Sequence, residues 1–118
     1  MSLRNEINKI GTLDGGWAEF SFKFRTSIKA DDDPVLGYVD FDKHEIHLET
    51  KMEEGIMRRT LLHECLHVFL SLVGVKHPDE DVHADLTICN EFITEQTTRA
   101  MLVFKALNPE LWSLIFDE

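Results

Sequence analysis

A chain of 118 residues, 43% of them apolar, is large enough for one domain that buries its own hydrophobic core. Its formal net charge of −10 argues against binding to nucleic acid or to an anionic membrane surface, because both attract proteins through positive charge. No apolar run approaches the roughly 20 residues that a transmembrane helix needs.

The start of the sequence and its cysteine content both predict a cytoplasmic protein. The first ten residues lack the apolar stretch and the small-residue cleavage site of a signal peptide. The two cysteines, Cys65 and Cys89, are too few for a disulfide framework and suit a reducing compartment. We interpret both as small buried residues.

Alternating hydrophobicity in the first half of the chain is typical of strands. Between Glu19 and Arg25 every second residue is phenylalanine, so one face of this strand should be buried. Gly15-Gly16 indicates a turn before it. Residues 7–10 form a possible partner strand, and residues 36–40 and 45–48 read as two strands joined by a hairpin turn. We therefore expect an antiparallel sheet of three to four short strands.

The second half of the chain has the spacing of helices. Acidic residues at Glu53-Glu54 suit a helix start, apolar residues then recur at helical intervals, and Gly74 indicates the helix end. A second, longer helix should run from residue 80 to 107 and end before Asn108-Pro109. A short helix over residues 110–116 should close the core. The whole pattern predicts an α+β fold in a single domain, residues 1–118.

The sequence His63-Glu64-Cys65-Leu66-His67 has the spacing of a zinc site on the first long helix. Two histidines four residues apart place both imidazoles on one helical face, from which they can reach one Zn²⁺. Glu64 follows the first histidine and would lie beside the metal, where it can hold a water molecule and accept its proton. These residues predict zinc ligands at His63 and His67, with Glu64 as the general base.

A catalytic zinc ion needs a third protein ligand, and the sequence offers several candidates. Glu91 on the next predicted helix is our first choice, with Glu95 one turn later as a partner for a ligand histidine. His77 and His83 are alternative ligands that would give a site of three histidines. The extended motif with a third histidine is excluded, because Val73 occupies that histidine position.

Three residues of the strand region are weaker candidates. His44 and His47 lie three residues apart on a predicted strand, so they should point to opposite faces, and we expect both at the surface. We retain His47 and Tyr38 as candidates that contact the substrate at a strand edge, where Tyr38 could reach an oxyanion.

Parts of residues 35–112 resemble small phage and bacterial proteins near the ImmA/IrrE-like metallopeptidases. The similarity rests on residues 37–40, 43–48 and 60–67, and on a second helix that bears Glu91 and ends at Asn108-Pro109. The resemblance implies a minimal zincin-like fold of phage or prophage type, with a gluzincin site in which His63, His67 and Glu91 bind zinc. The Glu-Ala-Asn stretch of larger members is absent after Glu91, so Glu95 remains an alternative.

The sequence therefore predicts a zinc-dependent peptidase that acts on a peptide or protein, with the strand at residues 45–48 lying along the substrate cleft. Two other functions remain open. One is a binding module that contains zinc but does not catalyse. The other is a zinc protein of the SprT-like class with three histidine ligands, which would use His77 or His83.

Overall fold

The computed structural model of the chain describes residues 2–30, 32–74 and 90–117, without the side chains of residue 30 and of residues 90–95. The described chain has four helices and six short strands. In chain order these are α1 (Leu3–Ile10), β1 (Thr12–Asp14), β2 (Glu19–Arg25), β3 (Lys29–Ala30), β4 (Asp33–Pro34), β5 (Gly37–Asp40), β6 (Glu45–Glu49), α2 (Glu54–Leu72), α3 (Asn90–Leu107) and α4 (Pro109–Phe116).

The fold class is α+β, as the sequence predicts, but the main sheet is mixed. Its four strands lie in the order β1-β2-β6-β5. The pairs β1–β2 and β5–β6 are antiparallel hairpins, whereas β2 and β6 run parallel. The predicted purely antiparallel sheet is wrong on this point, because alternation along one strand carries no information about the direction of its neighbour.

The predicted partner strand at residues 7–10 is also wrong, since these residues belong to helix α1. The Ser2 hydroxyl oxygen accepts a hydrogen bond from the Asn5 backbone N–H at 3.1 Å and caps the helix. Leu3 and Ile7, four residues apart, bury one face of the helix. Gly11 then ends it with a φ of +80°, a conformation that glycine adopts without strain.

One face of the main sheet and the helices enclose the core. The alternating residues Phe20 and Phe22 of β2 are buried on this face together with Ile46 and Leu48 of β6. Helix α2 covers them, and α3 packs on α2 through stacked rings of Phe69 and Phe104, whose centroids lie 5.2 Å apart.

The described helices follow the predicted order. Helix α2 begins at Glu54, one residue after the predicted acidic start, and α4 begins at Pro109. The predicted beginning of the second long helix, at residue 80, lies outside the described residues. None of the helices in the described residues is both long and apolar enough to cross a bilayer.

Candidate metal centre

Helix α2 brings the two motif histidines together at its surface. The Nε2 atoms of His63 and His67 lie 3.1 Å apart, with the two ring planes at 81°. Two imidazoles bound tetrahedrally to one zinc ion at 2.0–2.1 Å would have nitrogens about 3.3 Å apart. The pair therefore fits a shared metal ion with little adjustment, although the same distance also suits a hydrogen bond between the rings.

Glu64 lies beside this pair but points into the protein. Its side chain is 6% exposed, and burial raises its pKa from 4.5 to about 7. A carboxyl group with a pKa near neutrality can both accept and release a proton under physiological conditions. The neighbouring Cys65 is completely buried, and this burial raises the pKa of its thiol, which makes it a poor metal ligand or nucleophile.

Strand β5 approaches Glu64 closely because position 37 is glycine. A Cβ atom at Gly37 would lie 3.2 Å from Cγ of Glu64, 3.1 Å from Cγ2 of Thr60 and 2.9 Å from the carbonyl oxygen of His47. These distances are shorter than ordinary contacts, so any side chain here would push the strand away from α2. Gly37 was not among the site residues predicted from the sequence, although a glycine inside a strand pattern is a known sign of close approach.

The backbone of β5 faces outward beside the candidate site. Strand β5 is an edge of the described sheet, and the backbone N–H of Glu49 donates to the carbonyl of Leu36. Hydrogen-bonded pairs alternate along an antiparallel ladder, so Tyr38 and Asp40 also bond to β6. The N–H and C=O groups of Gly37 and Val39 therefore point away from the sheet, towards its open edge.

The pairing of the strands determines which strand has backbone groups available for a substrate. The predicted substrate strand at residues 45–48 is β6, which is paired on both sides, with β2 and with β5. Its backbone groups are therefore engaged in the ladder. The free edge nearest to Glu64 in the described chain belongs to β5.

Tyr38 and His47 lie on the opposite face of the sheet from Glu64. Successive residues of a strand alternate in direction, and Gly37 faces α2, so Tyr38 and its register partner His47 face away from it. Their rings stack with centroids 4.5 Å apart and planes at 5°. The structure does not bring these two candidates together with the histidine pair.

His47 is 3% exposed, so its predicted surface position is wrong. The Tyr38 ring covers one side of the imidazole, and its Nε2 lies 3.0 Å from Oε1 of Glu45. A central strand provides neighbours on both sides, and these can bury a polar ring even on the open face of a sheet. His44 is exposed in the hairpin turn, as predicted.

The remaining predicted ligands are not tested by the geometry. Glu91 and Glu95 lie on α3, but their side chains are not among those that the structure describes. His77 and His83 fall within residues 75–89, which the structure does not describe. Among the side chains that the structure does describe, no group of three or more His, Cys, Asp or Glu residues is placed to hold a metal ion. The described part of the site is thus a pair of histidines beside a buried carboxyl group.

No protein-family model matches the chain, and comparison with curated proteins and with solved structures also gave no match.

Proposed function

We propose that the protein is a zinc-dependent metallopeptidase that hydrolyses peptide bonds in the cytoplasm. The observation that carries this proposal is the 3.1 Å separation of the His63 and His67 Nε2 atoms beside the buried carboxyl group of Glu64. Two neutral nitrogen ligands suit zinc, and Glu91 would complete the site as the third ligand. The free, buried thiol of Cys65 suits the reducing cytoplasm.

Zinc bound at this pair would polarise the scissile carbonyl and lower the pKa of a water molecule. Glu64 would then orient the attacking water and accept its proton. The same carboxyl group would then pass that proton to the leaving amine. The low exposure of Glu64 keeps bulk water from competing for the carboxylate.

The substrate would bind as an added strand on β5. The outward N–H and C=O groups of Gly37 and Val39 offer main-chain hydrogen bonds to an extended peptide, which is a common mode of peptide recognition. Because Gly37 packs against Thr60 and Glu64, a peptide at this edge would pass beside the histidine pair.

The test is zinc content and peptide cleavage measured on the same preparations. The purified protein is assayed for bound metal and for cleavage of a mixed peptide library, read by mass spectrometry. We expect Glu64→Gln to keep zinc and lose cleavage, and His63→Ala and His67→Ala to lose both. Glu54→Gln, an exposed substitution in the first turn of the same helix, is the matched control and should keep both.

Two results would contradict the proposal. Cleavage that survives unchanged in Glu64→Gln would exclude this carboxyl group as the general base. Stoichiometric zinc without cleavage of any peptide would favour the non-catalytic binding module.

Zinc affinity measured in three separate variants identifies the third ligand. We expect Glu91→Ala to weaken zinc binding strongly, because a lost ligand removes one of three protein bonds to the metal. Glu95→Ala should have a smaller effect, of the size seen for partners of ligand histidines, about 10–100-fold in affinity. Loss of zinc in His83→Ala, with retention in Glu91→Ala, would instead indicate the site of three histidines.

A further inference from the structure

Arg59 continues the line of the two histidines along helix α2. Arg59, His63 and His67 follow one another at intervals of four residues, so they occupy one stripe of the helix surface. Each interval advances about 6 Å along the helix axis. Arg59 is therefore the neighbour of His63 on this stripe, one turn towards the start of α2.

Arg59 differs from the neighbouring arginine in having no partner among the residues that the structure describes. The Nε atom of Arg58 donates to the backbone carbonyl of Leu114 at 3.0 Å, and its side chain is half-buried. Arg59 is exposed, and it forms no hydrogen bond or ion pair with the residues that the structure describes. In a chain with a net charge of −10, a cation that forms no ion pair within the described part of the chain is available to an external anion.

A positive side chain beside a bound metal ion is unfavourable unless an anion joins them. With a divalent cation on the histidine pair, the metal and Arg59 together would keep a net positive charge even beside the carboxylates of Glu64 and Glu91, and such a surface attracts anionic groups. The planar guanidinium fork matches the two oxygens of a carboxylate better than any other peptide group.

A peptide bound to the edge strand β5 would lie beside the turns of α2 that carry Arg59 and His63. Gly37 packs against Thr60 and Glu64, the residues that directly follow Arg59 and His63. A peptide paired with β5 therefore passes both turns. The 6 Å step between the turns corresponds to about two residues of extended chain.

We propose that Arg59 binds a carboxylate of the substrate, within about two residues of the scissile bond, and so makes the enzyme selective for peptides that carry one there. This proposal rests on the proposed peptidase function and adds its specificity. The carboxylate can belong to an acidic side chain or to the carboxyl terminus of the peptide, since the guanidinium group recognises both in the same way.

The test measures binding, so that it does not depend on turnover. Zinc-loaded Glu64→Gln protein is titrated into fluorescent alanine-rich peptides that carry one glutamate or one glutamine at successive positions, each with a free or an amidated terminus. We expect the matching carboxylate to strengthen binding about tenfold or more, as charge-assisted hydrogen bonds do. The free and amidated arms distinguish the two sources of the carboxylate.

The variants then assign the effect to Arg59. Adding Arg59→Gln should abolish the preference for the carboxylate while leaving the neutral peptide unaffected, and Arg59→Lys should retain part of it. Arg25→Gln removes another exposed arginine, on β2, and should retain all of it.

A carboxylate preference that survives Arg59→Gln, or equal binding of the glutamate and glutamine peptides by the Arg59 protein, would overturn the proposal. Cleavage by the wild-type protein is scored separately. If the protein cleaves peptides without this preference, the role of Arg59 is wrong and the peptidase function stands. Arg59-dependent binding without any cleavage would contradict the peptidase function instead.

Discussion

The side-chain amide of Asn108 pairs with the backbone of Asp14 as if it were a further strand of the sheet. Its Oδ1 accepts from the Asp14 N–H, and its Nδ2 donates to the Asp14 carbonyl, both at 2.8 Å. Asp14 ends β1, the edge strand opposite β5, so the amide closes this edge locally. Asn108 also precedes α4, and the two bonds therefore join the last helix to the first strand.

We expect Asn108→Asp to lower the free energy of unfolding by about 1–3 kcal/mol, because a carboxylate cannot donate to the Asp14 carbonyl and leaves it unpaired. Urea unfolding at neutral pH measures the change. Asn5→Asp, on the exposed first turn of α1, is the matched control and should stay within about 0.5 kcal/mol of the wild type. An equally small change in both variants would show that the amide pairing contributes little.

Gly37→Ala should be destabilising by about 1–3 kcal/mol, because the added methyl group would lie 2.9 Å from the His47 carbonyl oxygen and force β5 away from α2. Gly55→Ala is the contrasting control. It lies in the first turn of α2, where an added Cβ would meet only Oε1 of Glu53 at an ordinary contact distance of 3.7 Å, and the change should stabilise the protein by about 0.5–1 kcal/mol. Denaturant unfolding compares the two, and a gain in stability in Gly37→Ala would contradict the close approach of β5 to Glu64.

In metal-free protein, Glu64→Gln should become stabilising as the pH rises. The folded-state pKa of Glu64 is raised to about 7. Its favourable contribution to the free energy of unfolding is therefore complete below pH 4.5 and is lost between pH 4.5 and 7. The stability of Glu64→Gln relative to the wild type should therefore increase by roughly 2–3 kcal/mol between pH 4 and pH 8. Unfolding in EDTA measures this, and a difference that does not vary with pH would show that Glu64 ionises normally.

Glu49 should show the opposite pH dependence. Its carboxylate accepts hydrogen bonds from the backbone N–H groups of Ile28 and Ser27, and these bonds lower its pKa. The contribution of Glu49 to the free energy of unfolding is complete above the ordinary pKa of a glutamate. It disappears as the pH falls through the lower pKa of the folded state. We expect Glu49→Gln to be less stable than the wild type at pH 7, with the difference closing in acid. Glu19→Gln, an exposed substitution on β2 without these backbone bonds, is the matched control.

Much of the fold could be predicted from the sequence because its elements carry local signals. The alternation of Phe20, Phe22 and Phe24 predicted β2, and the apolar spacing with an acidic start predicted α2. Helix α1 was missed because its eight residues contain few apolar side chains, and its cap at Ser2 was not recognised.

The candidate site shows the same division between local and long-range information. The positions of His63, Glu64 and His67 on one helix follow from a five-residue motif. The exposure of the β5 edge depends instead on the parallel pairing of β2 with β6, which joins residues that are far apart in sequence. No local pattern distinguishes a central strand from an edge strand when both are short and partly apolar.

The parallel contact between β2 and β6 also sets an order of folding events. The β1–β2 and β5–β6 hairpins contain only neighbouring residues, and such units form within microseconds. Joining the two hairpins into one sheet requires the chain between β2 and β5 to close into a loop. This step is slower, and steps of this kind limit folding in proteins with many non-local contacts. Asn108 reaches Asp14 across 94 residues. During synthesis, the first strand can therefore gain this partner only after residue 108 has left the ribosome.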